Sequence, residues 1–369
     1  MTSAELFFAV ILGIQIAYWA EVYFLFPKAV TKGARIIRDD DALPTLPALS
    51  VVIAARNEEF TIGSLLESLS SQNYPSFEII VVDDHSTDAT VRIVSSHSAQ
   101  DARIRVMASE GDGKKRAIET GIRAARYDVC VFTDADCRPE QEWLLHHGCL
   151  HARSEDLVVV GYAPLETGSG FGGTLQRYET DINAMFSAAS IEAGRAFLAT
   201  GRNLSYTKSL FERVGKFDRH LNALSGDDDL FLQDVRSQTS AEIIWVSEPD
   251  ATVHSSGKKS FSAWMKQKRR HGHAGKFYVA DTKWRLALYH LSQLVVWSSP
   301  LFIGAEGVVL IFVMLLMQGF LLNEARIALG SHFSLIALPA LAFLNFVHMI
   351  LLPASAMLVQ PKSWGGRTT

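Results

Sequence analysis

The feature that most constrains this 369-residue chain is a polar middle between two apolar ends. Leu6 to Phe26 reads LFFAVILGIQIAYWAEVYFLF, with Glu21 as its one charge. A run of about 21 residues is long enough to cross a hydrocarbon layer as a helix. No basic residue precedes it, and no small-residue cleavage site follows a short apolar core. It therefore reads as a retained anchor and not as a cleaved signal. Lys28, Lys32, Arg35 and Arg38 come next, and basic flanks stay on the cytoplasmic side. At the other end a basic stretch from Lys258 to Arg285 leads into an apolar one from Leu286 to Leu322. That stretch has room for two short spans, broken near Ser298-Ser299-Pro300 or Gly304-Ala305-Glu306-Gly307. A third apolar run lies between Phe333 and Val359. The expected layout is an anchor (1–27), a cytoplasmic linker (28–48), a globular domain (49–257) and a basic amphipathic interface segment (258–284). About three further spans (285–359) and a tail (360–369) follow.

The net charge of −4 gives no reason to expect a nucleic-acid partner. Three cysteines, Cys130, Cys137 and Cys149, do not make a disulfide scaffold and fit a reducing compartment. Cys137 is read as a packing residue. The sequon Asn203-Leu204-Ser205 is idle if the domain is cytoplasmic.

Within the middle, strands and helices alternate. Leu49–Ala55 is a short, nearly continuous apolar run, as in a strand covered on both faces. A helix from Glu58 to Ser70 follows, then a strand at Glu78–Val82, a helix at Thr87–Ser95 and a strand at Arg103–Met107. The pattern continues with a helix at Lys114–Arg126 and a strand at Asp128–Phe132. Pro139 is expected to open the next helix. Such alternation predicts an α/β fold with a mostly parallel sheet and helices on both faces. Ligands in these folds bind beyond the carboxyl ends of the strands. Arg56-Asn57-Glu58, Asp83-Asp84 and Asp134-Ala135-Asp136 all fall there.

Asp134 and Asp136, at i and i+2 past a buried strand, can face one ligand together. Magnesium and manganese favour such hard oxygen donors and bridge them to substrate phosphates. Asp84 is read as an acceptor for a nucleobase or ribose hydroxyl, and Ser86 as a helix cap. Gly113-Lys114-Lys115-Arg116 opens a helix where amides and lysines suit phosphate, although it is not a Walker loop. The acids of Gly226-Asp227-Asp228-Asp229 repel one another, which raises carboxyl pKa values and suits proton transfer. Gln267-Lys268-Arg269-Arg270-His271 lies among Phe261, Trp264, Phe277 and Tyr278. It reads as a helix on the membrane surface with its aromatics inserted, from which Gln267 and Arg270 also reach a donor diphosphate.

From Leu49 to Tyr278 the chain resembles the family 2 glycosyltransferases. Val51-Val52-Ile53 through Asn57-Glu58-Glu59, Asp83-Asp84-His85-Ser86, Thr133-Asp134-Ala135-Asp136 and the late acidic cluster match in order. The resemblance implies a GT-A fold over residues 49–257, inversion at the anomeric carbon, and a nucleotide-diphosphate sugar, a UDP-sugar foremost. It implies Mg2+ or Mn2+ on Asp136 and Asp134, and donor contacts from Glu58, Asp84, Lys115, Asp134, Gln267 and Arg270. It also implies Asp228 as general base, with Gly201, Arg202, Asn203 and Asp227 on the acceptor side. The implied setting is a bacterial inner membrane with the catalytic domain cytoplasmic, and the acceptor a lipid, a lipid-linked sugar or an envelope glycan. Processive synthases carry Thr-Glu-Asp where this chain has Gly226-Asp227-Asp228, and Gln-x-x-Arg-Trp where it ends in His271. Those departures favour transfer of one or a few sugars over polymer synthesis. A haloacid dehalogenase phosphatase wants Thr or Val where Arg138 stands. A non-catalytic nucleotide-sugar-binding regulator is the other alternative.

Overall fold

A computed structural model of the protein describes residues 2–38, 45–223, 225–332 and 335–358, and the short stretches 363–364 and 367–368. The anchor helix α1 (Ser3–Arg38) runs well past the apolar residues. The first part of the expected linker is therefore helical, a correction with a packing cause. Ala29 is buried, and a side chain at Gly33 would come within 2.3 Å of the Trp245 carbonyl oxygen. Small residues let the helix ride directly on the backbone of a strand. Residues 39–44 of the linker lie outside the described residues.

Strand β1 (Leu49–Ala55) is buried along its whole length, which is why it reads as unbroken apolar sequence. Helix α2 (Ile62–Ser70) buries Ile62, Leu65, Leu66 and Leu69 on one face. Then come β2 (Phe77–Asp83), α3 (Thr90–Ser98), β3 (Ile104–Ala108), α4 (Lys114–Ala124) and β4 (Val129–Phe132). Helices α2 and α3 start later than their sequences imply, because residues 57–59 and 86–89 bond each other across the two loops, with Asn57 and His85 at left-handed φ values of 55° and 57°. Strand β5 (Cys137–Pro139) is also a correction: Pro139 closes a strand, and α5 (Trp143–His151) starts only at Trp143. Proline fits there because β5 is an edge strand and needs no amide donor on its open side.

The chain continues through β6 (Leu157–Gly161), β7 (Leu165–Glu166), α6 (Phe171–Glu192), β8 (Leu204–Thr207), α7 (Lys208–Arg213), α8 (Asp229–Gln238), β9 (Glu242–Val246) and β10 (Val253–Ser256). The main sheet has the order β3-β2-β1-β4-β8-β6-β9. Alternate residues of β1 feed opposite core layers, Val52 to one and Val51 and Ile53 to the other. All neighbours are parallel except β8, which is antiparallel to β4 and β6. That reversal builds the site. Leu204, the first residue of β8, pairs with Phe132, the last of β4, so Thr200–Asn203 arrives beside Asp134. A small sheet, β5-β10-β7, forms the opposite wall.

Helix α9 (Phe261–Ala274) leads to α10 (Ala280–Ser298), the short α11 (Pro300–Ile303), α12 (Ala305–Ala328) and α13 (Leu338–Leu358). The apolar stretch breaks at Ser299–Gly304, where Gly304 takes a φ of +59°. Among the described residues, three helices are long and apolar enough to cross a membrane: 3–35, 280–303 and 305–328. Helix α13 is apolar over Leu338–Met349. Phe333 and Val359, the expected ends of the last run, and most of the tail lie outside the described residues. Buried Gln15 of α1 donates to the Tyr289 carbonyl at 2.8 Å and to Ser292 Oγ at 2.6 Å, tying the anchor to α10.

Candidate active site

The loops after β1 and β2 fasten to each other before any ligand is considered. The Asn57 amide donates to Ser86 Oγ at 3.0 Å, and the Thr87 amide to Asn57 Oδ1 at 2.8 Å. The Glu59 amide donates to Asp88 Oδ2 at 3.1 Å, and Ala89 N returns a bond to Glu59 Oε2 at 3.0 Å. Ser86 is thus a loop-to-loop tie and not the expected helix cap. The N-cap position of α3 is Ala89, which has no polar side chain to cap with, and Asp88 just before it accepts from Thr90 N at 2.9 Å. Asp84 is wholly buried; its Oδ1 accepts from Gly113 N at 3.0 Å and its Oδ2 meets Arg56 at 3.3 Å. Gly113 sits at a φ of +93°, a conformation that glycine tolerates best.

The next residue is the hub. Lys114 Nζ lies 2.9 Å from Asp134 Oδ1 and 2.8 Å from Asp227 Oδ2. One helix start therefore links Asp84, Asp134 and the late acidic cluster. Lys115, the lysine expected to touch the donor, faces elsewhere. Its ammonium is buried and donates to the carbonyls of His220 and Ala223 at 2.6 and 2.7 Å. Consecutive helical residues point about 100° apart, so only one of two adjacent lysines can enter the cleft. Burial pulls Lys115 down to about 8, against the pull of Asp227 and Asp228. Burial also opposes the charge on Lys114, but Asp134, Asp227 and Asp228 hold it above the ordinary lysine range.

Asp134, Asp136, Arg202, Gln267 and Arg270 share one cleft of about 90 Å3, walled by Ser255 to Lys258 after β10. Lys258 Nζ stands 3.7 Å from Asp136 Oδ2. Its backbone is pinned from both sides by Gln176, which accepts from Lys258 N at 2.8 Å and donates to its carbonyl at 3.0 Å. Burial would raise Asp134, but the charge and hydrogen bond of Lys114, backed by Arg202 and Arg270, hold it below the usual carboxylate range. Glu58 moves the other way. Burial raises it, the Thr61 hydroxyl opposes, and Asp136 and Asp134 add to the rise. Lys258 and Gln176 carry no motif of their own and only the fold brings them in, while Lys114 belongs to the Gly113-Lys114-Lys115-Arg116 helix start.

On the far side, Asp228 Oδ2 accepts from Gly201 N at 2.9 Å and its Oδ1 from Asp229 N at 2.8 Å. A β-carbon at Gly201 would sit 3.1 Å from Asp228 Oδ2, so the glycine permits this approach. Asp229 accepts from Ala199 N at 2.8 Å and from the Tyr278 hydroxyl at 2.7 Å. Tyr278 is thus an active-site support and not the membrane-inserted aromatic expected from its neighbourhood. Trp264 is likewise buried, its ring 4.8 Å from that of His348 on α13. Burial and then the charge of Asp227 push the Asp228 carboxyl up, while Lys114 and two amides oppose. Burial and Asp228 push Asp229 well above the usual range. Arg202 donates to the Ala163 carbonyl at 2.6 Å. Asn203 is fully buried and bonds the Tyr162 and Ala251 carbonyls, Trp143 and His147, which also closes the sequon to any modifying enzyme. Elsewhere among the described residues, Asp84, His85 and Asp112 bring donor atoms within 4.8 Å of one another.

Residues 50–215 match the sequence profile of Glycosyl transferase family 2. Glycosyltransferase AglE of Haloferax volcanii is 30% identical over 187 residues, 50% of this chain and 60% of that one. Residues 50–215 are thus similar to the family 2 glycosyltransferase domain. The chain's relatives include the beta-monoglucosyldiacylglycerol synthase of Nostoc, 30% identical over 107 residues, which are 28% of this chain and 23% of the synthase. The alignments span less than two thirds of these curated relatives. A solved mannosyltransferase from Pyrobaculum calidifontis, in complex with GDP-Man and Mn2+, superposes over 94% of this chain and 99% of its own at 18% identity, with a TM-score of 0.55. The domain has the GT-A fold.

Proposed function

We propose that the protein transfers a sugar from a nucleotide-diphosphate sugar to a hydroxyl of a lipid, lipid-linked or envelope glycan acceptor, with inversion, at the cytoplasmic face of a membrane. The observation that carries this reading is one cleft in which Asp134, Asp136, Arg270 and Gln267 sit across Lys114 from Asp227 and Asp228. Carboxylates that must bind a cation stand on one side, and those that can take a proton stand on the other.

Asp134 and Asp136 fit Mg2+ or Mn2+. They are hard oxygen donors, part-exposed in the cleft, of the kind that would hold such a cation. A cation bound there supplies Lewis-acid stabilisation of the departing diphosphate. Arg270, Arg202 and Lys258 present fixed positive charge to the same group. Asp228, its two oxygens aimed by the amides of Gly201 and Asp229, accepts the acceptor hydroxyl's proton. The acceptor oxygen bonds to the anomeric carbon as the bond to diphosphate breaks, and the nucleoside diphosphate leaves with that electron pair. Glu58 and Asp84 hold the donor loops, and Lys114 takes the phosphate-side role first given to Lys115. Three helices long and apolar enough to cross a membrane support a reading in which the chemistry takes place beside lipid.

The test is a donor screen on membranes containing the full chain, with Mn2+ or Mg2+, scored by nucleoside-diphosphate release. Release from one donor class that depends on the cation is expected. Nucleotide binding without release from any sugar donor would favour the regulator instead.

A further inference from the structure

A second cavity, of about 340 Å3, lies between α1, α6, α9, α10 and α13. Its walls are mainly apolar, with Val22, Ile182, Phe186, Leu198, Leu286 and Tyr289 prominent. At one end is Tyr278, whose hydroxyl bonds Asp229 beside Asp228. At the other end are Gln293 of α10 and Asn345 of α13. Thr282, Arg285, Tyr289 and Gln293 recur every three or four residues, so the cavity follows one face of α10 from the catalytic carboxylates into the apolar helices.

Charge narrows the occupant. Glu21 lies between two guanidiniums, 2.9 Å from Arg195 and 2.9 Å from Arg285. The other charges in the wall are balanced, Arg236 by Asp281 at 3.0 Å and Glu179 by Lys268 at 2.7 Å. One positive charge is therefore in excess at the polar end of an apolar cavity. Two buried nitrogens lining it, Arg195 Nε and His290 Nδ1, have no hydrogen-bond partner among the described residues. Buried polar atoms of this kind are normally satisfied, and the charged Arg195 donor prefers an anionic acceptor.

From this we infer that the cavity is the acceptor site and that the acceptor is a membrane lipid with an anionic head group. The apolar chain lies against α1, α6, α10 and α13, the anionic group meets Arg195 and Arg285, and the hydroxyl end reaches past Tyr278 to Asp228. The inference rests on the transferase reading above and names its acceptor.

Dioleoylphosphatidylglycerol, which is anionic and carries free hydroxyls, serves as the probe, with dioleoylphosphatidylcholine as the zwitterionic control. Full-length protein is titrated with each and bound lipid is counted by native mass spectrometry. One anionic lipid per chain is expected, retained about tenfold more tightly than the control. Arg195→Gln leaves Glu21 paired with Arg285 alone and should erase that preference. Asn183→Trp, at an exposed position on the cavity wall, should weaken retention of both lipids. Equal retention of the two lipids by the unaltered protein, or a preference that survives Arg195→Gln, overturns the inference. If Asn183→Trp does not fold, the arginine variant decides alone. Nucleoside-diphosphate release is followed on the same samples. Its absence with every donor would sink the transferase reading, whatever the lipid result.

Discussion

The two acidic motifs of this domain are written in the same letters and receive opposite electrostatic treatment. Asp134 is ringed by Lys114, Arg202 and Arg270 and is held ionised below the ordinary range. Asp228 and Asp229 have each other, Asp227 and partial burial, and both are pushed upward. The first environment suits a permanent ligand for a cation and a diphosphate. The second suits a group that must gain and lose a proton. One side chain separates the two regimes, since Lys114 bridges Asp134 and Asp227. An acidic motif is therefore informative only together with the cations that the fold brings to it.

The largest expected effect breaks the proton-accepting side. Asp228→Asn keeps one of the two amide contacts, on its remaining oxygen, and removes the base. Transfer should fall by about 10²–10⁴-fold while nucleotide binding is retained, measured as turnover against equilibrium binding on one preparation. Near-normal turnover would remove Asp228 from the role. Next comes the bridge. Lys114→Met should lower transfer by about 10²-fold, because a preplaced cation facing the diphosphate is lost.

The same bridge sharpens the comparison through pH. Asp228 accepts a proton only when ionised, so activity falls as pH drops through its raised pKa. Lys114 lowers that pKa and Asp227 raises it. Lys114→Met should thus move the acid limb of the rate profile to higher pH, and Asp227→Asn should move it to lower pH. Shifts in the same direction would mean that the limb reports another group.

The first half of the site was legible because it obeys local rules. Leu49–Ala55 and the helix spacing of Ile62, Leu65, Leu66 and Leu69 fix the strand-helix frame, and the strand-end rule then points at Asp84, Asp134 and Asp136. The second half depends on antiparallel β8, which returns Gly201 and Asn203 to the edge where β4 ends. Because β8 is buried along its whole length like its parallel neighbours, its pattern does not reveal its direction. Tyr278 was misjudged for a related reason. An aromatic in a basic stretch before an apolar helix looks like an interfacial anchor, and only the position of Asp229 gives its hydroxyl another task. Pro139 misled because proline suits a first helical turn and an edge strand equally well.

The smallest effect tests which lysine belongs to the site. Lys115 is buried and supplies two hydrogen bonds to the carbonyls of His220 and Ala223, so Lys115→Met leaves both acceptors without their donor. A cost of about 1–3 kcal/mol in unfolding free energy follows, read from denaturant or thermal midpoints. Lys114 is the cation that chiefly holds the Asp134 and Asp228 carboxyls down, while Lys115 interacts with Asp227 and Asp228 from outside the cleft. The acid limb should therefore move less in Lys115→Met than in Lys114→Met. A limb that moved for Lys115→Met and not for Lys114→Met would reverse the assignment of the two lysines, and with it the account of how the two acidic motifs are kept apart.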